Sequence, residues 1–246
     1  MVGRCLAYAM VVVCSSSAAP LASATEIRAM IELFTSQGCS SCPPADKLIG
    51  EFASDPSLVP ISLPIDYWDY LGWKDTLADP RNSARQRAYS KVRGDREVYT
   101  PQMVVNGSVH ALGSDRDAIE RAIVKSRQNP ATLSLPVTLS IADGRLSVAV
   151  PARDDAHLLA EVWLCGIAKA VTVAIKRGEN HGKTITYHNV ARRWLKLDAW
   201  NGSANTWMVP LDKLAGEGID GAAVMVQTGT VEKPAAILGA AVVALK

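Results

Sequence analysis

The sequence predicts an α/β domain followed by an all-β, sandwich-like domain, and three observations predict it. Up to Gln128, short apolar runs alternate with helical patterns. After Asn129-Pro130 the apolar runs alternate residue by residue and are separated by turn residues at near-regular spacing. The chain, at 246 residues, is long enough for two such units. The first residues stand apart: one Arg near the start, an apolar run from Cys5 to Cys14, then Ala22-Ser23-Ala24, the A-x-A pattern of a signal-peptidase site. The expected layout is a signal peptide over 1–24, an α/β domain over 25–128 and a β-sandwich-like domain over 129–246. The protein is expected to be periplasmic or secreted, with no membrane span in the mature chain.

The elements follow in order. Ala29 to Phe34 reads as a strand buried on both faces. Pro43 to Phe52 reads as a helix: two prolines occupy its first turn, where a missing N–H costs little, and Leu48, Ile49 and Phe52 are its apolar positions. Leu58 to Ile65 is a second strand. Arg81 to Val92 is a charged helix; Arg81, Arg85, Arg87, Lys91, Arg93 and Arg96 interleave with Asp79, Asp95 and Glu97, which reads as a solvated face. Gln102 to Val105 and Val109 to Leu112 flank the hairpin signal Asn106-Gly107. Ser114 is expected to begin a helix through Val124, with Asp117 completing a capping box and Ile119, Ala122 and Ile123 facing inward. Beyond Asn129, LSLPVTLSIADGRLSVAVP is a hairpin around Asp143-Gly144. Strands are expected over Leu158–Ile167, Ala170–Ile175, Thr184–Val190, Trp194–Leu197, Ala204–Val209, Ala222–Gln227 and Ala236–Val243.

Several function classes have no footing. The formal net charge of +2 gives no reason to expect nucleic acid as a partner. No G-x-x-x-x-G-K-[ST] or G-x-G-x-x-G loop is present for a nucleotide, and no G-x-S-x-G elbow or Ser-His-Asp arrangement for hydrolysis.

One short motif carries chemistry. Removing the signal peptide leaves three cysteines: Cys39, Cys42 and Cys165. In Gly38-Cys39-Ser40-Ser41-Cys42-Pro43-Pro44 the pair follows a strand and meets a helix start, where unpaired N–H groups and the helix dipole favour thiolate over thiol. A thiolate so placed attacks disulfides and leaves readily from mixed disulfides. Cys39 is then the exposed nucleophile and Cys42 the more buried resolving thiol. Such chemistry needs no cofactor, only a protein thiol or disulfide as partner. Two other readings of the pair remain open: a structural staple in a binding protein, and a copper(I) site using both thiols. Zinc wants four ligands, and His110, His157, His181 and His188 are scattered. Cys165 sits in an apolar strand as a buried, inert thiol. In Asp66-Tyr67-Trp68-Asp69-Tyr70-Leu71-Gly72-Trp73, Trp68 and Trp73 would wall a substrate groove beside Cys39 or plug the contact between domains. Arg177 to Lys183 reads as a polar hairpin tip, either a plain turn or a contact with the first domain or a partner.

The order of strand, C-x-x-C, helix, strand, helix, X-Pro, strand pair and helix resembles the thioredoxin fold. That resemblance implies a cis peptide at Thr100-Pro101, with both residues positioning substrate against the disulfide, and a buried acid in the first strand, for which Glu32 is the candidate. Glu32 lies one residue further from Cys39 than the pattern has it. Gly38 stands where an aromatic residue is usual, and Ser40-Ser41 replaces Gly-Pro, which leaves the direction of electron flow open. The runs IELFTSQGCSSCPPAD, IDYWDYLGWKD, VYTPQMVVNG, GSDR and RGEN-x-GK-x-x-x-YHNV also resemble a secreted bacterial family, domain-of-unknown-function family 1223. It is regarded as thioredoxin-like and has no established substrate.

Overall fold

Strand β1 (Ala29–Thr35) is buried along its whole length, as is its parallel neighbour β2 (Leu58–Pro64), because elements cover both faces of the sheet. Helix α1 (Pro43–Phe52) supplies Ala45, Leu48, Ile49 and Phe52 to one face, packed on Ile31 and Leu33. Helix α2 (Pro80–Arg93) lies on the other, where Tyr89 meets Met30 and Phe34. Strand β3 (Gln102–Val105) pairs antiparallel with β1 and turns through Asn106-Gly107, both at positive φ, into β4 (Val109–Leu112). Helix α3 (Arg116–Ser126) joins α1 on its face through Ile119, Ala122 and Ile123. These elements come from a computed structural model that describes residues 26–153 and 159–245; the expected signal peptide, with Cys5 and Cys14, and His157 lie outside the described residues.

The second half is β-rich. It comprises β5 (Thr138–Ala142), β6 (Arg145–Val150), β7 (Ala160–Ala174), β8 (Thr184–Trp200), β9 (Asn205–Pro210), the single-turn helix α4 (Leu211–Leu214), β10 (Gly221–Thr230) and β11 (Lys233–Ala244). Strands β11-β10-β7-β8 form one antiparallel sheet in that order, and β5-β6-β9 form another. Their inner faces meet: Leu146, Val148 and Val150 of β6 alternate inward against Val162, Leu164, Val224, Val226, Leu238 and Trp200.

The chain is thus an α/β unit followed by a β-rich unit, and the two share one eight-stranded sheet, β11-β10-β7-β8-β2-β1-β3-β4. The join is short: β2 and β8 pair in parallel at Ser62 and Val190. Pro60 has no N–H to give a longer ladder. Side chains bridge the rest, with Asn189 Nδ2 donating to the Pro60 carbonyl at 3.0 Å and Ser62 Oγ donating to the His188 carbonyl at 2.7 Å.

Several elements differ from expectation. The two strands expected on either side of Ala168-Lys169 are one, β7, because Ala168 and Ala170 both stay in register with β8, and an irregularity between Gly166 and Ile167 absorbs the mismatch. Likewise β8 runs unbroken through Arg192 and Arg193. Helix α3 is capped by Asp115, not Ser114: the Asp115 carboxylate accepts from the Ala118 N–H at 2.9 Å, placing a negative charge at the helix start that a serine would not supply. The basic stretch of α2 is not a uniformly solvated face, since its Arg85 side chain turns inward and is only 13% exposed.

Candidate redox site

The end of β1 turns sharply into the cysteine loop. The Cys39 N–H donates to the Ser36 carbonyl at 3.1 Å, and the Cys42 N–H donates to the Cys39 carbonyl at 3.2 Å, so residues 39–42 form a turn of their own. A disulfide joins Cys39 to Cys42. The helix counts from Cys42, its N-cap. Pro43 and Pro44 have no N–H, so the first helical donors are Ala45 and Asp46, and both bond to the Cys42 carbonyl. This corrects the expectation that Cys39 stands at the helix start: Cys39 lies one turn earlier, and the dipole acts nearest Cys42. The Ser41 hydroxyl oxygen lies 3.5 Å from the Cys39 sulfur. Cys39 is 4% exposed and Cys42 0%, which corrects the expectation of an exposed first cysteine: both are buried, Cys39 slightly less so.

Two of the expected substrate-binding residues meet this loop from the start of β3. The Thr100–Pro101 peptide bond is cis, and the Thr100 carbonyl accepts from Ser41 Oγ at 3.5 Å. Trp68 Nε1 donates to Thr100 Oγ1 at 2.8 Å. Trp68 also explains Gly38: a Cβ there would come within 3.1 Å of the Trp68 Cβ, so the residue before Cys39 has no room for a ring, and the neighbouring ring comes from a distant segment. Trp68 stacks on Tyr70, which is 76% exposed, giving an aromatic shelf beside the loop. Trp73 Nε1 donates to Gln37 Oε1 at 2.8 Å, and the backbone at Gly178 comes close to the Trp73 Cβ. Trp73 therefore fills the contact between the two halves while bordering the loop.

The hairpin between β7 and β8 reaches the cysteines directly. Asn180, fully buried, donates through Nδ2 to the Gln37 and Cys39 carbonyls at 3.0 and 2.8 Å, and Glu179 Oε2 accepts from the Ser40 N–H at 3.1 Å.

Glu32 is the expected site residue that is not brought to the pair. Side chains alternate along β1, so Ile31 and Leu33 face α1 while Glu32 faces α2 with Met30 and Phe34. Its carboxylate accepts from Arg85 Nε at 2.6 Å, Arg85 Nη2 at 3.2 Å and the Tyr89 hydroxyl at 2.5 Å. Gln227 completes the network by accepting from Arg85 and donating to Tyr89. Glu32 serves a buried ion pair.

Two acids outside the expected set stand near the cysteine loop instead. Asp46 follows Cys42 by one helical turn, and residues so spaced share a helix face. It accepts from the Thr35 hydroxyl at 2.7 Å through Oδ1, while its buried Oδ2 has no partner. Burial pushes its carboxyl up to about 8, against the opposing effect of the Thr35 hydroxyl. Asp75 accepts from the Gln37 and Leu77 N–H groups at 2.7 and 2.8 Å, and burial lifts it to about 6. The Tyr187 hydroxyl is also buried without a partner; burial, then the Asp46 and Asp75 carboxylates, push it far up. Spacing from Cys42 was a usable signal for Asp46; Asp75 lies in an irregular segment that offers none.

Cys165 is a buried free thiol, held far above the ordinary thiol range first by burial and then by the Glu32 charge. Among the described residues no three His, Cys, Asp or Glu side chains converge to hold a metal ion, and no described helix is long and apolar enough to cross a membrane.

Residues 30–227 match the model of a family described as "Protein of unknown function (DUF1223)". The chain is also similar to an Agrobacterium tumefaciens protein whose X-ray structure came from a structural genomics programme, at 32% sequence identity and a TM-score of 0.80, covering 90% of this chain and 96% of that one. No curated protein matches the chain.

Proposed function

Because the chain belongs to the DUF1223 family, whose description names no activity, its function has to come from the site, and we propose a thioredoxin-like thiol–disulfide oxidoreductase acting on protein or small disulfides in the bacterial envelope. The order β1-α1-β2-α2-β3-β4-α3, with the cysteines between β1 and α1 and a proline opening β3, supports the thioredoxin-like reading. The envelope address rests on the signal-peptide pattern of the sequence.

One observation carries the proposal. The Cys39–Cys42 disulfide sits in a turn whose Ser41 hydroxyl reaches the Thr100 carbonyl, so a chain laid along Thr100 lies beside this turn, at the less buried of the two cysteines. A staple is the poorer account: a disulfide closing so short a loop contributes only ~2 kcal/mol of chain entropy, whereas long loops gain more.

The chemistry balances as follows. In the reduced protein the Cys39 thiolate attacks a substrate disulfide, forming a mixed disulfide and releasing one substrate thiolate. The Cys42 thiolate then attacks the Cys39 sulfur, expelling the second substrate thiolate and closing the Cys39–Cys42 bond. The protein is oxidised by two electrons and the substrate reduced by two; the reverse sequence oxidises a substrate dithiol. Asp46 shares a helix face with Cys42 one turn away, and in its ionised form it would take the Cys42 proton as that thiol attacks and return it when the disulfide opens.

The test is Cys42→Ser, which removes the resolving thiol. Incubated reduced with oxidised glutathione, the folded variant is expected to accumulate one stable mixed disulfide at Cys39, read by mass spectrometry. The wild-type disulfide should equilibrate with glutathione above ≈ −300 mV, the limit below which structural disulfides resist reduction. No adduct in the variant, together with a wild-type bond that resists reduction, would return the pair to the role of staple.

A further inference from the structure

The hairpin tip over the cysteine loop is more than packing. Asn180 holds two loop carbonyls, and Glu179 holds the amide of Ser40, the residue joined to Cys39. Three bonds from a segment some 140 positions away thus fix loop 37–40 from outside. The tip is itself positioned: Lys183 Nζ donates to Asn180 Oδ1 at 2.9 Å, the His181 N–H donates to the Gly178 carbonyl, and the backbone at Gly178 rests on Trp73.

The choice of a carboxylate at 179 has an electrostatic consequence. Pro43 and Pro44 lack N–H groups, the Gly38, Cys39 and Cys42 amides bond within the loop, and the Ser40 amide is occupied by an anion. The charged groups that bond to the loop or to its partners include Asp46 from α1, Asp75 with Asp69 bonded to its N–H, and Glu179 and Lys183 from the tip. Glu179 is the charged group bonded to the cysteine turn itself.

We propose that Glu179 is a positioning residue through which the β-rich half restrains the Cys39 thiolate and makes the Cys39–Cys42 disulfide a weaker oxidant. Its carboxylate ties up the Ser40 N–H and so sets a negative charge on the residue next to Cys39. An anion there disfavours thiolate, and so disfavours the reduced protein relative to the disulfide. In the exchange with glutathione (protein disulfide plus two glutathione thiols giving protein dithiol plus oxidised glutathione), the carboxylate shifts the balance toward protein disulfide. Lys183, held back by Asn180, opposes it in part. The inference rests on the exchange reading for its biological meaning, but its measurement needs no substrate.

Glu179→Gln separates charge from hydrogen bonding, since the amide oxygen can still accept from Ser40. The reduced mature protein is titrated with iodoacetamide across pH, with Cys39 alkylation followed by mass spectrometry. Glu179→Gln is expected to raise the thiolate fraction of Cys39 below its midpoint about threefold to fivefold, the size of one unit charge at short range in a wet site. The glutathione equilibrium above that midpoint should move by the same factor toward protein dithiol. Both effects should shrink in 1 M salt, where screening reaches within ~3 Å. Glu217→Gln, an exposed substitution in the turn before β10, controls for net charge and should move neither readout. An unchanged Cys39 profile in Glu179→Gln, or an equal shift in Glu217→Gln, overturns the proposal. Failure of Cys42→Ser to trap glutathione would leave this thiol titration intact, so the two ideas fail separately.

Discussion

Glu32→Gln is expected to destabilise the folded protein by about 3–5 kcal/mol without slowing alkylation of Cys39. Arg85 is held by that carboxylate through two nitrogens, with Tyr89 and Gln227 around it and the guanidinium stacked over the Tyr89 ring at 4.8 Å. Removing one member of a buried pair leaves the other charge desolvated and uncompensated, and that penalty exceeds the attraction lost. Urea unfolding of the oxidised protein measures it as a lower midpoint with an unchanged slope. Glu32→Gln combined with Arg85→Met removes both charges and should recover most of the loss. A proton-transfer role for Glu32 requires the opposite pattern: near-normal stability and a displaced Cys39 reactivity profile. That pattern would reverse the assignment.

Asp46→Asn is expected to flatten the pH dependence of stability. The Asp46 carboxyl lies near 8 in the folded protein, against 3.8 for an ordinary aspartate. Between those values the folded state holds a proton that the unfolded state has released. Stability therefore falls as pH rises through this window, by up to ~1.4 kcal/mol per pH unit, and levels off above the folded value. An asparagine cannot ionise and keeps the size and the Thr35 hydrogen bond. The variant should match wild type near pH 4 and exceed it by a few kcal/mol near pH 9. Asp75, lifted only to about 6, leaves a residual slope of the same sign over a narrower range. Unfolding free energies across pH check this directly, and parallel profiles for variant and wild type would mean an ordinary ionised Asp46. The same substitution should slow closure of the Cys39–Cys42 bond from the mixed disulfide, because Cys42 then loses the carboxyl that shares its helix face one turn away.

Much of the α/β half is legible in the sequence because local chemistry decides it. Pro43 and Pro44 fix where α1 begins, and Asn106-Gly107 fixes the turn between β3 and β4. Cys39 and Cys42 are joined, Thr100 and Trp73 bond to their loop, and Trp68 bonds to Thr100, so local motifs gathered from distant segments meet around one turn. What escapes is decided elsewhere in the chain. Whether Glu32 serves the cysteines or an ion pair depends on which face of β1 it takes and on Arg85 and Gln227, more than 50 and 190 positions away. The continuity of β7 through Ala168-Lys169 comes from β8 alongside, not from local propensity. The approach of Glu179 and Asn180 to the cysteine loop is equally a product of sheet order.

The junction between β2 and β8 has a genetic consequence. In an ordinary sheet the rungs are peptide groups, common to every residue type but proline, and few single codon changes remove them. Here the Ser62 hydroxyl and the Asn189 carboxamide supply the connection on either side of a lone rung. At this junction two side chains therefore do what peptide groups do elsewhere in the sheet, and a change at Ser62 or Asn189 reaches the connection directly.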